Sequence, residues 1–232
     1  MKTIQQILDW SEVWALLIPL TVFFITRPRA RWVRPVICYI IIAFLLNLSA
    51  DIIWKRKTLG ITVWINENLT FLYDPKFKQV NNNIFYNIHS IIRVLLFTWF
   101  FKKLDPIYFS RLNKFVIPLF LLFVSINFIF FADIKHLLNS LLFSVEAFVL
   151  LLYCILYFIR TNNESKVSNP FSQPSFRVVS GLTFYNSINL PIFLFYDYLV
   201  VSNETYSEDV WTVHNVSYII FNIFLAFSFK NK

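Results

Sequence analysis

Two charged residues lie near the middle of long apolar stretches. Arg93 falls within the stretch 84–101, and Glu146 falls within the stretch 137–159. An unpaired charge at the centre of a bilayer is costly, and on straight helices these two residues reach a similar depth. We therefore predict that Arg93 and Glu146 form a buried ion pair. Such a pair suits a gate, a proton relay, a substrate anchor or a purely architectural contact.

Most of the apolar stretches also carry polar residues on one helical face. Tyr86, His89 and Arg93, for example, follow one another at positions i, i+3 and i+7. These faces should turn away from lipid, where unsatisfied polar groups are costly. The predicted pocket opens at the outer ends of the helices and contains Asn47, Asp51, Tyr86, His89, Asn186, Asn189, Asp197, His214, Tyr218 and Asn222. The alternative is that the Asn side chains only hold helices together.

The three histidines of the chain are His89, His136 and His214. Three His ligands and a water molecule would form a catalytic zinc site. Seven-helix hydrolases of the alkaline ceramidase and adiponectin receptor type use such a site, but they carry a His-x-x-x-His pair on the last helix, where His214 stands alone. We therefore predict no metal and no cofactor, and keep zinc at these histidines as the alternative. Two glycines are also too few for Walker, Rossmann or nucleophile-elbow motifs.

The composition is that of an integral membrane protein. Hydrophobic residues make up 57% of the chain, and the mean hydropathy is +0.59, which is high for a soluble domain of 232 residues. The scarcity of glycine and the continuous apolar strings favour helices over a β-barrel. The expected fold is an all-α membrane bundle.

The apolar stretches predict seven transmembrane helices within a single domain, 1–232. The predicted spans are 10–26, 33–53, 84–101, 115–131, 137–159, 178–201 and 210–229, with a long outer loop at 54–83. The first span is short for a bilayer, because Asp9 and Glu12 lie at its start.

The distribution of basic residues predicts the orientation of this bundle. Thirteen of the 21 Lys and Arg residues fall on one side, which we assign to the cytoplasm. They are Arg27, Arg29, Arg31, Arg34, Lys102, Lys103, Arg111, Lys114, Arg160, Lys166, Arg177, Lys230 and Lys232. The amino terminus is then outside and the carboxyl terminus inside. Topology and anionic lipid account for the net charge of +8, so we predict the lipid bilayer and no nucleic acid as a partner.

Part of the chain resembles a group of bacterial membrane proteins. The resemblance is carried by SVEAFVLLLYCILYF around Glu146, by Pro174 and Phe176, and by SGLTFYNS from Ser180. These segments look like uncharacterised small seven-helix inner-membrane proteins of Bacteroidetes. The resemblance implies a multi-pass protein of the bacterial inner membrane and implies no activity.

Several function classes remain open at this stage. We expect a ligand-binding or signalling module that acts through a protein partner at the short cytoplasmic loops. A membrane-embedded hydrolase or a transporter is one alternative. A structural subunit of a membrane complex is another, because its polar stripes would need neither ligand nor chemistry.

Overall fold

The computed structural model describes residues 7–74, 79–131, 134, 138–164, 170–198 and 204–230. Helices dominate this part of the chain. They are α1 (Ser11–Thr26), α2 (Val33–Trp54), α3 (Thr62–Asn68), α4 (Asn83–Leu104), α5 (Tyr108–Phe130), α6 (Ser140–Glu164), α7 (Pro174–Leu194) and α8 (Glu204–Phe229). The predicted all-α architecture is thus confirmed, apart from a short antiparallel pairing of β1 (Tyr73–Asp74) with β2 (Gln79–Val80).

Five of the described helices are long and apolar enough to cross a membrane, namely α2, α4, α5, α6 and α8. The chain is therefore a multi-pass membrane protein. Helix α1 is apolar but has only 16 residues, which is shorter than a typical span. Helix α7 has 21 residues, but polar residues such as Arg177, Asn186 and Asn189 dilute its apolar character.

The helix ends differ from the predicted span ends, because hydropathy falls at charged residues while a helix continues to its cap. Helix α5 begins at Tyr108 rather than near 115, since Arg111 and Lys114 are accommodated in its first turns. Asp105 Oδ1 accepts hydrogen bonds from the backbone N–H groups of Ile107 and Tyr108 just before this helix. Helix α7 ends at Leu194 rather than near 201, and Pro191 lies in its last turn.

Six helices form a closed ring. Going round it, α1 packs on α2, α2 on α4, α4 on α6, α6 on α7, α7 on α8, and α8 on α1. Helix α5 lies outside the ring and packs mainly against α4. Contacts between helix ends give the directions of the helices: Lys55 after α2 bonds to Asp9 before α1, Asn139 before α6 bonds to Asn87 near the start of α4, and Arg177 near the start of α7 bonds to Phe227 at the end of α8. Consecutive long helices thus run in opposite directions, and α1, α4, α6 and α8 begin at the same end. We call this the vestibule end, because a cavity opens there. We call the opposite end the basic end, because most of the described Lys and Arg residues lie there.

Aromatic side chains fill the ring between its middle and the basic end. Tyr39, Phe97 and Phe221 are fully buried, with ring centroids 4.9 to 6.2 Å apart. Phe100 and Phe229 extend the same core towards the basic end. Close packing of α7 on α8 depends on Gly181, where an added Cβ would lie 2.5 Å from Phe224 Cβ. The interior of the ring is therefore closely packed between its centre and the basic end.

Candidate functional site

A buried ion pair lies at the centre of the ring. Arg93 Nε on α4 donates to Glu146 Oε1 on α6. Glu146 is fully buried and Arg93 is 6% exposed, so the two charges neutralise each other inside the bundle. The second carboxylate oxygen of Glu146 accepts a hydrogen bond of 2.5 Å from Ser90 Oγ. Both carboxylate oxygens thus have a partner.

The same arginine joins a third helix to the pair. Arg93 Nη1 donates to the hydroxyl of Tyr185 on α7 at 2.7 Å, and its guanidinium lies 5.0 Å from the centre of that ring. Three helices of the ring are therefore tied together by one charged cluster. Any displacement of α7 relative to α4 and α6 has to break or rearrange these bonds.

Two adjoining cavities lead from the vestibule end towards this cluster. The larger, which we call the vestibule, has a volume of about 350 Å³ and is lined by Asp9, Glu12, Asp51, Trp54, Lys55, Asn82, Asn83, Tyr86, Leu138, Tyr196, Trp211 and Asn215. The smaller, which we call the inner cavity, has a volume of about 30 Å³ and is lined by Glu12, Asn47, Tyr86, His89, Arg93, Phe143, Tyr185, Phe193, Trp211, His214 and Tyr218. Glu12, Tyr86 and Trp211 line both cavities. The inner cavity suffices for roughly two water molecules, whereas the vestibule accommodates a small organic molecule.

His214 lines the inner cavity and has a defined hydrogen-bond pattern. Asn189 Nδ2 donates to the backbone carbonyl of Tyr185 and to Ser217 Oγ, which leaves Asn189 Oδ1 facing His214 Nδ1 at 2.6 Å. An amide oxygen only accepts, so Nδ1 carries a proton. His214 Nε2 lies 3.4 Å from Glu12 Oε1. The two side chains form an ion pair when the imidazole is protonated.

These contacts connect the vestibule to the ion pair, and we call them the polar path; its step across Tyr185 runs through the side chain of that residue, from the backbone carbonyl to the hydroxyl. Glu12 contacts His214, His214 bonds to Asn189, and Asn189 bonds to the backbone of Tyr185. The Tyr185 hydroxyl then accepts from Arg93, which is paired with Glu146. The path crosses α1, α8, α7, α4 and α6. Every long helix of the ring except α2 takes part.

Helix α2 joins the site through Asn47 and Asp51. Asn47 Nδ2 donates to the backbone carbonyl of Glu12 at 3.0 Å and to the Tyr218 hydroxyl at 3.4 Å. Asp51 Oδ2 lies 3.6 Å from Lys55 Nζ, which is beyond hydrogen-bond length. Burial lowers the pKa of Lys55, and the nearby Asp51 carboxylate acts in the opposite direction. Lys55 therefore lies in a partly desolvated and acidic environment.

The structure brings several of the predicted pocket residues together. Asn47, Tyr86, His89, His214 and Tyr218 line the inner cavity, and Asp51 lines the vestibule. His89 stacks on Tyr39, and its Nε2 has no hydrogen-bond partner among the described residues. Asn189 lies directly behind His214.

Four predicted pocket residues line neither cavity, namely Asn189, which bonds to His214, and Asn186, Asp197 and Asn222. Asn186 and Asn222 donate to the carbonyl oxygens of Leu182 and Tyr218, one turn earlier in their own helices. Asp197 is exposed and accepts a hydrogen bond of 2.9 Å from Ser140 Oγ. Asn186 and Asn222 thus bond within their own helices, and Asp197 lies beyond the end of α7.

The three histidines are not all described. His89 and His214 both line the inner cavity, whereas His136 lies outside the described residues. Within the described ranges, no group of three or more His, Cys, Asp or Glu side chains is placed to hold a metal ion.

Sequence reasoning missed several residues of the site. In the sequence, Glu12 is only a charge that shortens the first span, yet in the structure it lines both cavities. Tyr185 and Ser90 were not singled out, although they complete the bonds of Arg93 and Glu146. Ser90 lies one helical turn from Arg93, so the spacing in the sequence could have indicated that the two residues share a helical face. Trp211 carries no such signal, because a tryptophan near a span end is common in membrane proteins.

Comparison of the chain with protein-family models, with curated proteins and with solved structures gives no match.

Proposed function

We propose that this chain is a ligand-responsive signalling module of the bacterial inner membrane, in which occupancy of the vestibule changes the packing of helices around Arg93 and Glu146. The observation that supports it is the polar path from Glu12 to Glu146. A molecule in the vestibule would contact Glu12, Tyr86 and Trp211, which also line the inner cavity. A ligand that favours one arrangement of this path shifts the protein towards that arrangement.

The proposed topology has seven crossings, with the amino terminus outside and the carboxyl terminus in the cytoplasm. The alternating directions of α1, α2, α4, α5, α6, α7 and α8 support it. The described basic residues at the basic end support the orientation, since cytoplasmic loops are rich in Lys and Arg. They are Arg27, Arg29, Arg31, Arg34, Lys102, Lys103, Arg111, Lys114, Arg160, Arg177 and Lys230. The vestibule then opens to the outside.

Single-cysteine labelling tests this orientation. In a chain with Cys38→Ala and Cys154→Ala, Asn66→Cys on α3 should react with a membrane-impermeant maleimide on spheroplasts. Arg29→Cys should react only after the membrane is permeabilised. Both native side chains are exposed, so accessibility depends on the side of the membrane. Labelling of Arg29→Cys on intact spheroplasts would reverse the proposed orientation.

A partner protein at the basic end completes the proposed mechanism. Packed aromatic side chains fill the ring between the ion pair and the basic end. This core supports transmission of a signal by helix movement rather than passage of a solute through the ring. The short α1–α2 and α4–α5 connections at that end would present such a movement to a partner.

Photo-crosslinking in cells tests this signalling role. A photoreactive residue at the exposed Arg31 or Lys103 should capture a partner, and the yield should change when the polar path is cut by Asn189→Leu. Ser187→Ala, an exposed change on the same helix, is the matched control and should leave the yield unchanged. Equal crosslinking in all three proteins, or no crosslinked protein at all, would contradict signalling through this path.

A ligand screen tests the vestibule itself. Compounds that raise the unfolding temperature of the detergent-solubilised protein should lose this effect in Trp211→Ala. A diverse library without any such compound would contradict ligand binding at this site.

A second candidate, a proton-coupled transporter, is favoured by the carboxylate of Glu12 and the imidazole of His214, which lie 3.4 Å apart next to the vestibule, because proton relays in membrane proteins are built from such side chains. Substrate-dependent acidification of the interior of reconstituted vesicles would identify it.

A further inference from the structure

The vestibule already holds one ammonium group, that of Lys55. Its Nζ lies 3.9 Å from the centre of the Trp10 ring and 3.6 Å from Asp51 Oδ2. It also donates a hydrogen bond of 2.5 Å to the backbone carbonyl of Asp9. An aromatic face, a carboxylate and a carbonyl oxygen are the three kinds of group that stabilise a primary ammonium ion in proteins. The wall of the vestibule therefore contains a binding site for a primary ammonium group, which Lys55 occupies.

The single positive charge of Lys55 does not neutralise the carboxylates around it. The vestibule is lined by the carboxylates of Asp9, Glu12 and Asp51 and by the single ammonium of Lys55. Asp51 is only 5% exposed, and its Oδ2 has no hydrogen-bond partner among the described residues. A buried carboxylate oxygen without a donor is costly, and a ligand with N–H groups would remove that cost.

Aromatic rings form much of the rest of the vestibule. Tyr86, Tyr196 and Trp211 line it from three different helical segments, and Trp211 lies 6.4 to 6.5 Å from the other two ring centres. Aromatic walls bury an apolar ligand body, and their faces attract cations. The cavity of about 350 Å³ exceeds what an ammonium group alone would fill.

We propose that the vestibule binds a small organic primary amine in its protonated form, with the ammonium at Asp51 and Glu12 and an apolar or aromatic body against Tyr86 and Trp211. This inference rests on the proposed function and names its ligand class. The ligand ammonium competes with Lys55 for Asp51. A carboxylate ligand would meet three acidic side chains, and a neutral ligand would leave Asp51 Oδ2 facing the Lys55 ammonium at 3.6 Å, which is beyond hydrogen-bond length.

Three probes of similar shape test the charge preference: 2-phenylethylamine, 2-phenylethanol and phenylacetate. Equilibrium dialysis of radiolabelled 2-phenylethylamine against the full-length protein in detergent measures binding, and the other two serve as competitors. The amine should bind. The alcohol should compete at least about tenfold more weakly than the unlabelled amine, because a hydrogen bond from a charged donor to a carboxylate is stronger than one from a neutral hydroxyl. Phenylacetate should not compete.

Variants locate the bound ammonium. Asp51→Asn should weaken amine binding by about tenfold to a hundredfold through loss of the charged partner. Glu67→Gln is the matched control, because Glu67 is exposed on α3 and does not line the vestibule. It should leave binding unchanged.

Lys55→Gln has the opposite expected effect. It removes the competing ammonium and should tighten amine binding by about tenfold. A folding defect would lower binding, so a gain cannot arise from misfolded protein. Equal or weaker amine binding in Lys55→Gln overturns the proposed position of the ligand ammonium.

The outcomes separate this inference from the proposed function. If phenylacetate or 2-phenylethanol competes as well as the unlabelled amine, the ligand class is wrong although the vestibule still binds a molecule. If 2-phenylethylamine does not bind while the library screen finds a compound that depends on Trp211, the inference is again overturned and the proposed function stands. If neither the probes nor the library bind, both fail.

Discussion

Replacing Arg93 with Leu is expected to destabilise the protein strongly. The change leaves the fully buried Glu146 with Ser90 Oγ as the remaining hydrogen-bond donor described for it. The carboxylate must then stay charged without a counter-ion or take up a proton. Breaking a buried pair by removing one partner costs about 3–5 kcal/mol. The Tyr185 hydroxyl also loses its partner, which adds about 1 kcal/mol.

The double variant Arg93→Leu/Glu146→Leu should cost less than the sum of the two single changes to Leu, because it removes both charges. Residues within one hydrogen-bonded network show coupling energies of about 0.5–3 kcal/mol, and we expect a value near the upper end. Glu146→Gln keeps an oxygen for Arg93 Nε and is close to the shape of Glu. It should therefore destabilise the fold less than Arg93→Leu while still perturbing function.

Unfolding of the purified protein in mixed micelles of rising SDS fraction measures these free energies. Arg160→Leu is a suitable control, because Arg160 pairs with Asp105 at 2.7 Å with its side chain 35% exposed. A partly exposed pair contributes about 0–1 kcal/mol, so this change should have a small effect. Wild-type stability for both single variants, or strictly additive effects, would refute the assignment of a coupled buried pair.

Three further changes probe the packing around the site. Gly181→Ala should destabilise the α7–α8 contact by about 1–3 kcal/mol, because its Cβ would overlap Phe224 Cβ. Asn139→Ala should cost about 1 kcal/mol, since Asn139 Oδ1 accepts the Leu142 N–H at the start of α6. Asn189→Leu should cost about 1–3 kcal/mol, because the buried His214 Nδ1–H loses its acceptor. All three are measured by the same micelle titration.

Controls for these changes lie on the same helices. Ser187→Ala on α7 and Asn163→Ala on α6 alter exposed side chains and should leave stability within about 0.5 kcal/mol of wild type. If Gly181→Ala is as stable as Ser187→Ala, the close approach of α7 and α8 is not required. If Asn139→Ala or Asn189→Leu matches its exposed control, the hydrogen bond assigned to it contributes nothing.

Much of the architecture follows from local properties of the chain. Hydropathy depends on the residues within one span, so composition predicted a helical membrane protein and placed most helices within a few residues. The depth of a residue depends on its position along a helix, which is why Arg93 and Glu146 could be paired before any contact was known. Helix ends were predicted less well, because caps such as Asp105 extend a helix beyond its apolar part.

The composition of the candidate site depended on contacts that are distant in sequence. Asn186 and Asn189 share one polar face, yet Asn189 reaches His214 while Asn186 bonds within its own helix. Glu12 faces His214 across 202 residues of sequence only because α1 closes the ring against α8. Neither relation can be read from spacing within a single helix.

The sequence by itself determined the class of protein, its apolar helices, its charge asymmetry and the pairing of the two buried charges, Arg93 and Glu146. Only the tertiary structure decided the six-helix ring with α5 outside it, the two cavities and the polar path from the vestibule to the ion pair. The physical reason is the solvent. In a bilayer an apolar side chain gains about as much from contact with lipid as from contact with a neighbouring helix. Hydrophobicity therefore does not fix how each helix is rotated about its own axis. The rotation is set by close contacts such as Gly181 on Phe224 and by polar bonds such as Arg93 to Tyr185, which form only once the helices have come together.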